Sequence, residues 1–147
     1  MSHLEHAAMW TCDLERLAGF YAKYFGATAG ARYVNEAKGF ESRFLSFAGG
    51  ARLELMCSSR LEPVRHARGA QRMGLTHLAL SVGSQEGVDA LTQRLREDGF
   101  EVLDGPRHTG DGCYESVILD PDGNRIEIIQ WLEPYNPAAS GAAELDR

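Results

Sequence analysis

The sequence predicts an α+β protein made of two β-α-β-β-β modules, which together form one domain over residues 1–131. Each half of the chain contains one segment with helical apolar spacing and several short strand-like segments, separated by Gly- or Pro-containing turns. The same order of segments occurs twice, in repeats of about residues 3–57 and 75–131. A period of about 70 residues is typical of duplicated modules and is too long for a solenoid unit.

The first repeat opens with the strand candidate LEHAAMWTC and continues into a helix that Asp13 can cap. Gly26 can end this helix in the left-handed conformation. Spacings of three and four predict the buried face of the helix, which carries Leu14, Leu17, Ala18, Tyr21, Tyr24 and Phe25. The strand candidates ARYVN, SRFLSFA and ARLELMC follow, and Gly49–Gly50 can form a tight turn between the last two.

The second repeat begins with the strand LTHLALSV, and Ser84 can cap the helix that comes after it. The buried face of this helix is predicted to carry Val88, Leu91 and Leu95. Gly99 ends the helix, FEVLDG is predicted as a strand and PRHTGDG as a loop. The segments YESVILD and NRIEIIQW predict a closing hairpin around residues 121–123.

Residues 58–74 and 132–147 have no clear periodicity and lie outside the two repeats. The first segment is polar and basic, and we interpret it as a linker. The second is small and polar, and we interpret it as a C-terminal tail.

Composition narrows the class of protein. A formal net charge of −6 disfavours a nucleic-acid partner. No apolar run approaches the roughly 20 residues of a membrane span, so we expect no membrane association. The segment MSHLEHAAMW lacks the features of a secretory signal. Three cysteines cannot all pair and form no CxxC pattern, which favours free thiols and a cytoplasmic location.

Four residues occupy matching places in the two repeats. Each repeat has a His in its first strand and a Glu in its last: His6 and Glu54, then His77 and Glu127. Glu54 follows His6 by 48 positions, and Glu127 follows His77 by 50. Imidazole nitrogen and carboxylate oxygen are suitable ligands for a divalent first-row metal ion. The repetition of the pair therefore predicts a shared metal site.

Simpler interpretations exist for each of these residues taken alone. An isolated His77 is more often a hydrogen-bonded structural histidine. Glu54 can pair with the neighbouring Arg52, and Glu127 can pair with Arg125 in the same way. His3 competes with His6 for the first position but lies closer to the end of the chain.

At these residues the chain resembles the vicinal oxygen chelate superfamily, and within it the glyoxalase I branch of the glyoxalase/bleomycin resistance/dioxygenase proteins. The matching segments are EHAAMWTCDLERLAGFYAKYFGA, ARLELM, GLTHLALSV and ESVILDPDGNRIEII, of which DPDGNRIEI is the most specific. The resemblance implies paired modules whose mixed sheets form a cup around a metal ion. It also implies a homodimer in which each site takes one His–Glu pair from each subunit.

The resemblance implies a lyase or isomerase that converts the hemithioacetal of a 2-oxoaldehyde and glutathione into a thioester. The ligands would be His6, Glu54, His77 and Glu127, holding one divalent ion per site, with Ni²⁺, Zn²⁺ or Co²⁺ expected. The ion would stabilise an enediolate, and a carboxylate would move the proton between neighbouring carbons. Glu127 is assigned that catalytic role, with Glu54 as the alternative.

The chain departs from the glyoxalase I pattern where a glutathione carboxylate is commonly bound. Trp10 stands in place of an arginine, and Ser58 in place of an asparagine. Trp10 either packs within its strand or forms an aromatic wall of the pocket. Arg107 and Tyr114 are the other residues expected to contact an acidic or carbonyl-bearing substrate. Other branches, such as dioxygenases and fosfomycin- or bleomycin-type resistance proteins, remain the alternative function.

Overall fold

The computed structural model describes residues 1–62, 67–71 and 73–132, which form two compact units. The first unit takes the described residues of Met1–Thr76 together with Leu119–Asn124. The second takes His77–Ile118 and the described residues from Arg125 onward. Each unit contains one mixed sheet and one α-helix, which confirms the predicted α+β class and its two modules.

The first unit contains a five-stranded sheet in which the first and last strands of the repeat are neighbours. Its elements are β1 (His6–Trp10), α1 (Leu14–Phe25), β2 (Thr28–Ala29), β3 (Tyr33–Asn35), a short 3-10 helix (Glu36–Lys38), β4 (Phe40–Ser46) and β5 (Arg52–Ser58). The strand order is β1-β5-β4-β2, and β3 also pairs with β4. β1 runs parallel to β5, whereas the other pairs are antiparallel.

The caps predicted for α1 are confirmed. The Asp13 side chain accepts a hydrogen bond from the Arg16 amide, and Gly26 closes the helix at a φ of 65°. Six residues form its buried face: Leu14, Leu17, Ala18, Phe20, Tyr21 and Tyr24. The apolar stripe is therefore largely confirmed, except that Phe20 is also buried, whereas Phe25 is half-buried with its ring packed on Phe20 and Tyr21.

The second unit repeats the arrangement with fewer strands. Its elements are β6 (Leu78–Ser81), α2 (Gln85–Glu97), β7 (Val102–His108), β8 (Cys113–Leu119) and β9 (Arg125–Trp131). The order is β6-β9-β8-β7, with β6 parallel to β9, so the last strand of the repeat again lies beside the first. Ser84 caps α2 as predicted by accepting a hydrogen bond from the Gly87 amide.

The predicted boundary between the strand FEVLDG and the loop PRHTGDG is wrong. β7 continues through Arg107 and His108, which pair with Glu115 and Tyr114 on β8. The pairing is irregular, with register shifts on both sides of Asp104. Gly and Pro normally indicate a turn in sequence, but in an irregular strand they fit a bulge that interrupts the ladder without ending it.

The turn at residues 120–124 belongs to the first unit and is anchored there. The buried carboxylate of Asp120 accepts hydrogen bonds from the amides of Asp122 and Asn124 and from the Tyr21 hydroxyl. Arg68 donates to the carbonyl oxygens of Asp120 and Pro121, at 3.1 and 2.9 Å. The DPDGN segment is therefore a turn built around one buried carboxylate.

Residues 63–66 and 72 of the expected linker, and the expected tail beyond residue 132, lie outside the described residues. Neither of the two described α-helices is long and apolar enough to cross a membrane.

Candidate metal-binding site

Strand alternation brings His6 and Glu54 to one face of the first sheet. Leu53 and Leu55 are buried on the face that contacts α1, so Glu54 points away from the helix. β1 pairs in register with β5, and His6, opposite Arg52, shares the face of Glu54. The Nε2 atom of His6 lies 3.8 Å from Oε2 of Glu54.

A second carboxylate holds the other side of the His6 ring. Glu5 contacts Nδ1 of His6, and Oε1 of Glu5 also accepts a hydrogen bond of 2.7 Å from Nε of Arg52. These two contacts lower the pKa of Glu5. A carboxylate on one imidazole nitrogen is the usual means of fixing the orientation of a metal-binding histidine. Here it leaves Nε2 directed toward Glu54.

The second unit contains the equivalent pair. Ile126 and Ile128 are fully buried, and the alternation of β9 places Glu127 on the opposite face from them. His77 lies just before β6, the strand that pairs with β9. The Nε2 atom of His77 is 3.1 Å from Oε2 of Glu127.

The donor chemistry of both pairs fits a divalent metal ion. Zinc binds imidazole nitrogen and carboxylate oxygen at about 2.0–2.2 Å, so adjacent ligand atoms lie about 3 Å apart. The His77–Glu127 separation of 3.1 Å matches that spacing, and the His6–Glu54 separation of 3.8 Å is slightly larger. Within the described ranges no group of three or more His, Cys, Asp or Glu side chains is arranged to hold an ion. Each unit thus presents two donors.

Trp10 lies on the same face of the first sheet as His6, because the two residues are an even number of positions apart on β1. Its side chain is 49% exposed and meets the Phe40 ring edge-on, with the centroids 6.2 Å apart. The Phe44 ring packs edge-on against His6 with a centroid separation of 5.3 Å. The His6–Glu54 pair is therefore bordered by aromatic rings, and Trp10 combines strand packing with an accessible surface.

Arg107 is directed toward the face of the second sheet that carries Glu127. Its Nε atom donates to Asp104 at 2.7 Å, and Nη2 lies 3.2 Å from Oε1 of Glu115. The charges of Asp104, Glu115 and Glu127 all raise the pKa of Arg107, with the Asp104 hydrogen bond as the largest cause. The expected position of Arg107 near the site is consistent with this placement, but its guanidinium already has two carboxylate partners.

Tyr114 lies on the helix side of the second sheet and is not brought together with Glu127. Its hydroxyl donates a hydrogen bond of 2.8 Å to Asp89 of α2, and its ring packs against His108 at 4.7 Å. The neighbouring Ser116 points the same way and shares a buried hydrogen bond with Thr92 of α2. Tyr114 therefore does not face the side of Glu127, because the alternation of β8 assigns that side to Glu115.

Glu115 is the residue that sequence reasoning missed. Its side chain is only 12% exposed, and burial together with the charge of Glu127 raises its pKa. The sequence contains a signal for it, since Glu115 is a carboxylate within the apolar strand CYESVIL, as Glu54 and Glu127 are within theirs. The metal site was predicted from residues that occur in both repeats, and Glu115 was missed because it has no counterpart in the first repeat.

Comparison with known proteins gives consistent matches over nearly the whole chain. The profile of the Glyoxalase/Bleomycin resistance protein/Dioxygenase superfamily matches residues 3–128. The chain is 30% identical over 132 residues to the uncharacterized protein YqjT of Bacillus subtilis (strain 168), covering 86% of this chain and 97% of that protein.

Solved structures show the same fold at lower identity. A glyoxylase/bleomycin resistance protein/dioxygenase domain from Frankia sp. EAN1pec superposes with a TM-score of 0.74 at 20% identity, covering 89% of this chain and 98% of that one. The trypanothione-dependent glyoxalase I of Leishmania major superposes with a TM-score of 0.69 at 20% identity, covering 88% and 87%. The chain belongs to the Glyoxalase/Bleomycin resistance protein/Dioxygenase superfamily.

Proposed function

We propose that this protein is a metal-dependent lyase or isomerase of the glyoxalase I type. Its substrate would be an oxygen-chelating small molecule, such as the hemithioacetal of a 2-oxoaldehyde and a thiol. One observation carries the proposal: each unit brings a His Nε2 within 4 Å of a Glu Oε2 on equivalent strands. Buried or half-buried carboxylates on apolar strands require a compensating partner, and a divalent ion supplies one.

The proposed ligands of the ion are His6, Glu54, His77 and Glu127. A Ni²⁺, Zn²⁺ or Co²⁺ ion bound there supplies Lewis-acid stabilisation for negative charge that develops on substrate oxygens. Superfamily membership is consistent with such an ion. We further propose a cytoplasmic homodimer in which each site takes one pair from each subunit.

The proton transfer is assigned to a carboxylate of this set. The reaction needs one group that removes a proton from a carbon beside a carbonyl and returns it to the neighbouring carbon. Glu127 is our first choice, as the family resemblance implies, and Arg107 and Glu115 are further charged groups near it. Glu54 is the alternative base; Phe44 is its cross-strand partner on β4, and Trp10 lies on the same face of the sheet.

Trp10 is proposed to contact the substrate. Its ring is half exposed on the face of His6, and it can pack against an apolar part of the bound molecule. The Trp10 ring would then exclude water from that side of the reacting carbons, while Glu127 or Glu54 acts as the base.

The test is to measure metal content and turnover together. Protein loaded with each of the three ions should retain about one ion per chain after desalting. It should also form a thioester from methylglyoxal and at least one thiol, and Glu127→Gln should retain metal better than it retains activity. Loss of the ion on desalting in every case contradicts the metal site. Retention of the ion without any turnover contradicts the proposed reaction.

A further inference from the structure

Each His–Glu pair is accompanied by an arginine that is already ion-paired. In the first unit Arg52 shares the face of Glu54, contacts Glu5 and stacks over the Phe44 ring at 4.2 Å. In the second unit Arg107 is held by two carboxylates from its own and the neighbouring strand. Among the described residues, Arg52 and Arg107 are therefore cations near the two pairs, and each already has a carboxylate partner.

The two contacts of Arg107 differ in their surroundings. Asp104 is half exposed, with 49% of its side chain accessible, so water and salt weaken its attraction for the guanidinium. Glu115 is 12% exposed and lies on the central strand β8, between β7 and β9. Its charge is less screened and acts more strongly on its neighbours. The Asp104 contact has the larger effect on the pKa of Arg107, whereas the less screened charge of Glu115 also interacts with Glu127.

We propose that Glu115 is a specificity-determining residue, which keeps Arg107 neutralised and thereby selects substrates whose variable part is uncharged or positively charged. The thiol component of the proposed hemithioacetal would then not be an acid such as glutathione. The inference rests on the proposed function, since it takes the His–Glu pairs as the reacting site.

The physical reason is the cost of displacing existing partners. A substrate carboxylate that binds Arg107 must compete with Glu115, which would lose its ion pair while still largely buried. The incoming charge also meets the like charge of Asp104, the other carboxylate partner of Arg107. An uncharged group avoids both costs, and a cation gains from the carboxylates of Asp104 and Glu115.

Three catechols that differ in one small substituent, and chiefly in its charge, test this inference without turnover. Dopamine is cationic, 4-methylcatechol is uncharged and 3,4-dihydroxyphenylacetate is anionic, and all three present two vicinal oxygens. Their affinities for the zinc-loaded protein would be measured by calorimetry. We expect the cationic and uncharged ligands to bind on the order of fivefold more tightly than the anionic one, which is the effect of a unit charge near a protein surface.

Variants assign the effect to Glu115. Glu115→Gln should reduce the ratio of cation to anion affinity by about fivefold. Asp104→Asn changes an exposed residue, keeps the fold and should shift the ratio in the same direction by less. The matched control is Glu101→Gln, an exposed site next to Val102 at the far end of β7 from Arg107, and it should leave the ratio unchanged.

A turnover series separates this inference from the proposed function. Methylglyoxal adducts of thiocholine, 2-mercaptoethanol and 3-mercaptopropionate carry the same three charges. Efficient turnover of the anionic adduct overturns the inference while the function stands. Charge-ranked catechol binding without any turnover supports the inference and contradicts the function. Equal or anion-preferring catechol affinities, no catechol binding, or an unchanged ratio in both Glu115→Gln and Asp104→Asn also overturn the inference.

Discussion

The phenol of Tyr21 donates a hydrogen bond of 3.1 Å to the carboxylate of Asp120, and neither residue is accessible to solvent. Tyr21 lies on α1 and Asp120 begins the turn that leads into β9. The same carboxylate accepts two backbone amides of the turn and the Asn124 side chain. One buried side chain thus connects the helix of the first unit to the turn that precedes Glu127.

Removing the Tyr21 hydroxyl should destabilise the protein. We expect Tyr21→Phe to lower the free energy of unfolding by about 1–2 kcal/mol, because a buried carboxylate loses one of its donors. Urea unfolding followed by circular dichroism measures the change. Tyr33→Phe is the matched control, since Tyr33 is 55% exposed, and it should change stability by less than about 0.5 kcal/mol. Equal effects of the two substitutions would contradict the role of this hydrogen bond.

The ionisation of Asp120 should make stability depend on pH. Burial raises the pKa of this carboxyl above the ordinary value for aspartate, despite opposing hydrogen bonds from Asn124 and Tyr21. The folded protein therefore keeps a proton that the unfolded chain has lost. The stabilising contribution is complete below about pH 4, the unfolded pKa, and is lost as the pH rises through the folded pKa.

The measurement compares wild type with Asp120→Asn, which cannot titrate. Unfolding free energies would be determined from about pH 4 to pH 7, over the range where both proteins are folded. We expect wild type to lose stability relative to the variant as the pH rises. A difference that is constant, or that changes in the opposite direction, would show that burial does not raise this pKa.

Single substitutions should identify the histidines that bind metal. His77→Ala should weaken binding of Co²⁺ or Zn²⁺ by on the order of 100-fold, since even a supporting residue of a metal ligand contributes 10–100-fold. His6→Ala should have a similar effect because its Nε2 faces Glu54. His3→Ala is the control and should bind normally, because His3 precedes β1 and is exposed. Competition with a chromophoric chelator gives the affinities.

The three cysteines should react at different rates. Cys12 is exposed, whereas Cys113 is buried with its sulfur 3.6 Å from the Gln130 carbonyl. Burial raises the pKa of both Cys57 and Cys113, which reduces their thiolate fractions. Brief treatment with iodoacetamide at pH 8 should therefore modify Cys12 first, as peptide mass spectrometry will show. Faster modification of Cys113 would contradict its burial in solution.

Adding a methyl group at Gly105 should destabilise the folded protein. Its Cβ would lie 2.5 Å from the Glu115 carbonyl oxygen and 2.9 Å from Cα of Ser116, and the residue has a φ of 77°. We expect Gly105→Ala to lower the free energy of unfolding by about 2–3 kcal/mol. Gly110→Ala has open space around its Cβ and serves as the control. Thermal unfolding of the two variants provides the comparison.

Local signals predicted much of the fold. The sequence predicted that Asp13 and Ser84 cap the two helices, because each is a short polar residue that precedes a clear apolar stripe. The structure has both caps. The repeat predicted the strands that carry His6, Glu54 and Glu127, whereas His77 lies one residue before β6 rather than within it. Strand β2, with two residues, was too short to produce an alternating pattern.

The parts of the fold that the sequence did not predict depend on contacts between strands. Arg107 was placed in a loop because Gly105 and Pro106 suggested a turn, whereas pairing with β8 keeps the segment in the sheet. Glu115 and Tyr114 are adjacent in sequence, and the sequence did not reveal which of the two faces α2. On the helix side the buried Ser116 hydroxyl hydrogen-bonds with Thr92, which also donates to the Val88 carbonyl, and this contact stabilises the observed orientation.

The irregular pairing of β7 has a consequence for insertions and deletions in this segment. Val102 pairs with Ile118, and Arg107 pairs with Glu115. Five positions of β7 therefore lie opposite three positions of β8. Because side chains alternate with a period of two, removing a single residue there would turn Arg107 toward α2 and bring His108 to the side of Glu127. Homologous chains that conserve this charge pattern should differ in length here by an even number of residues.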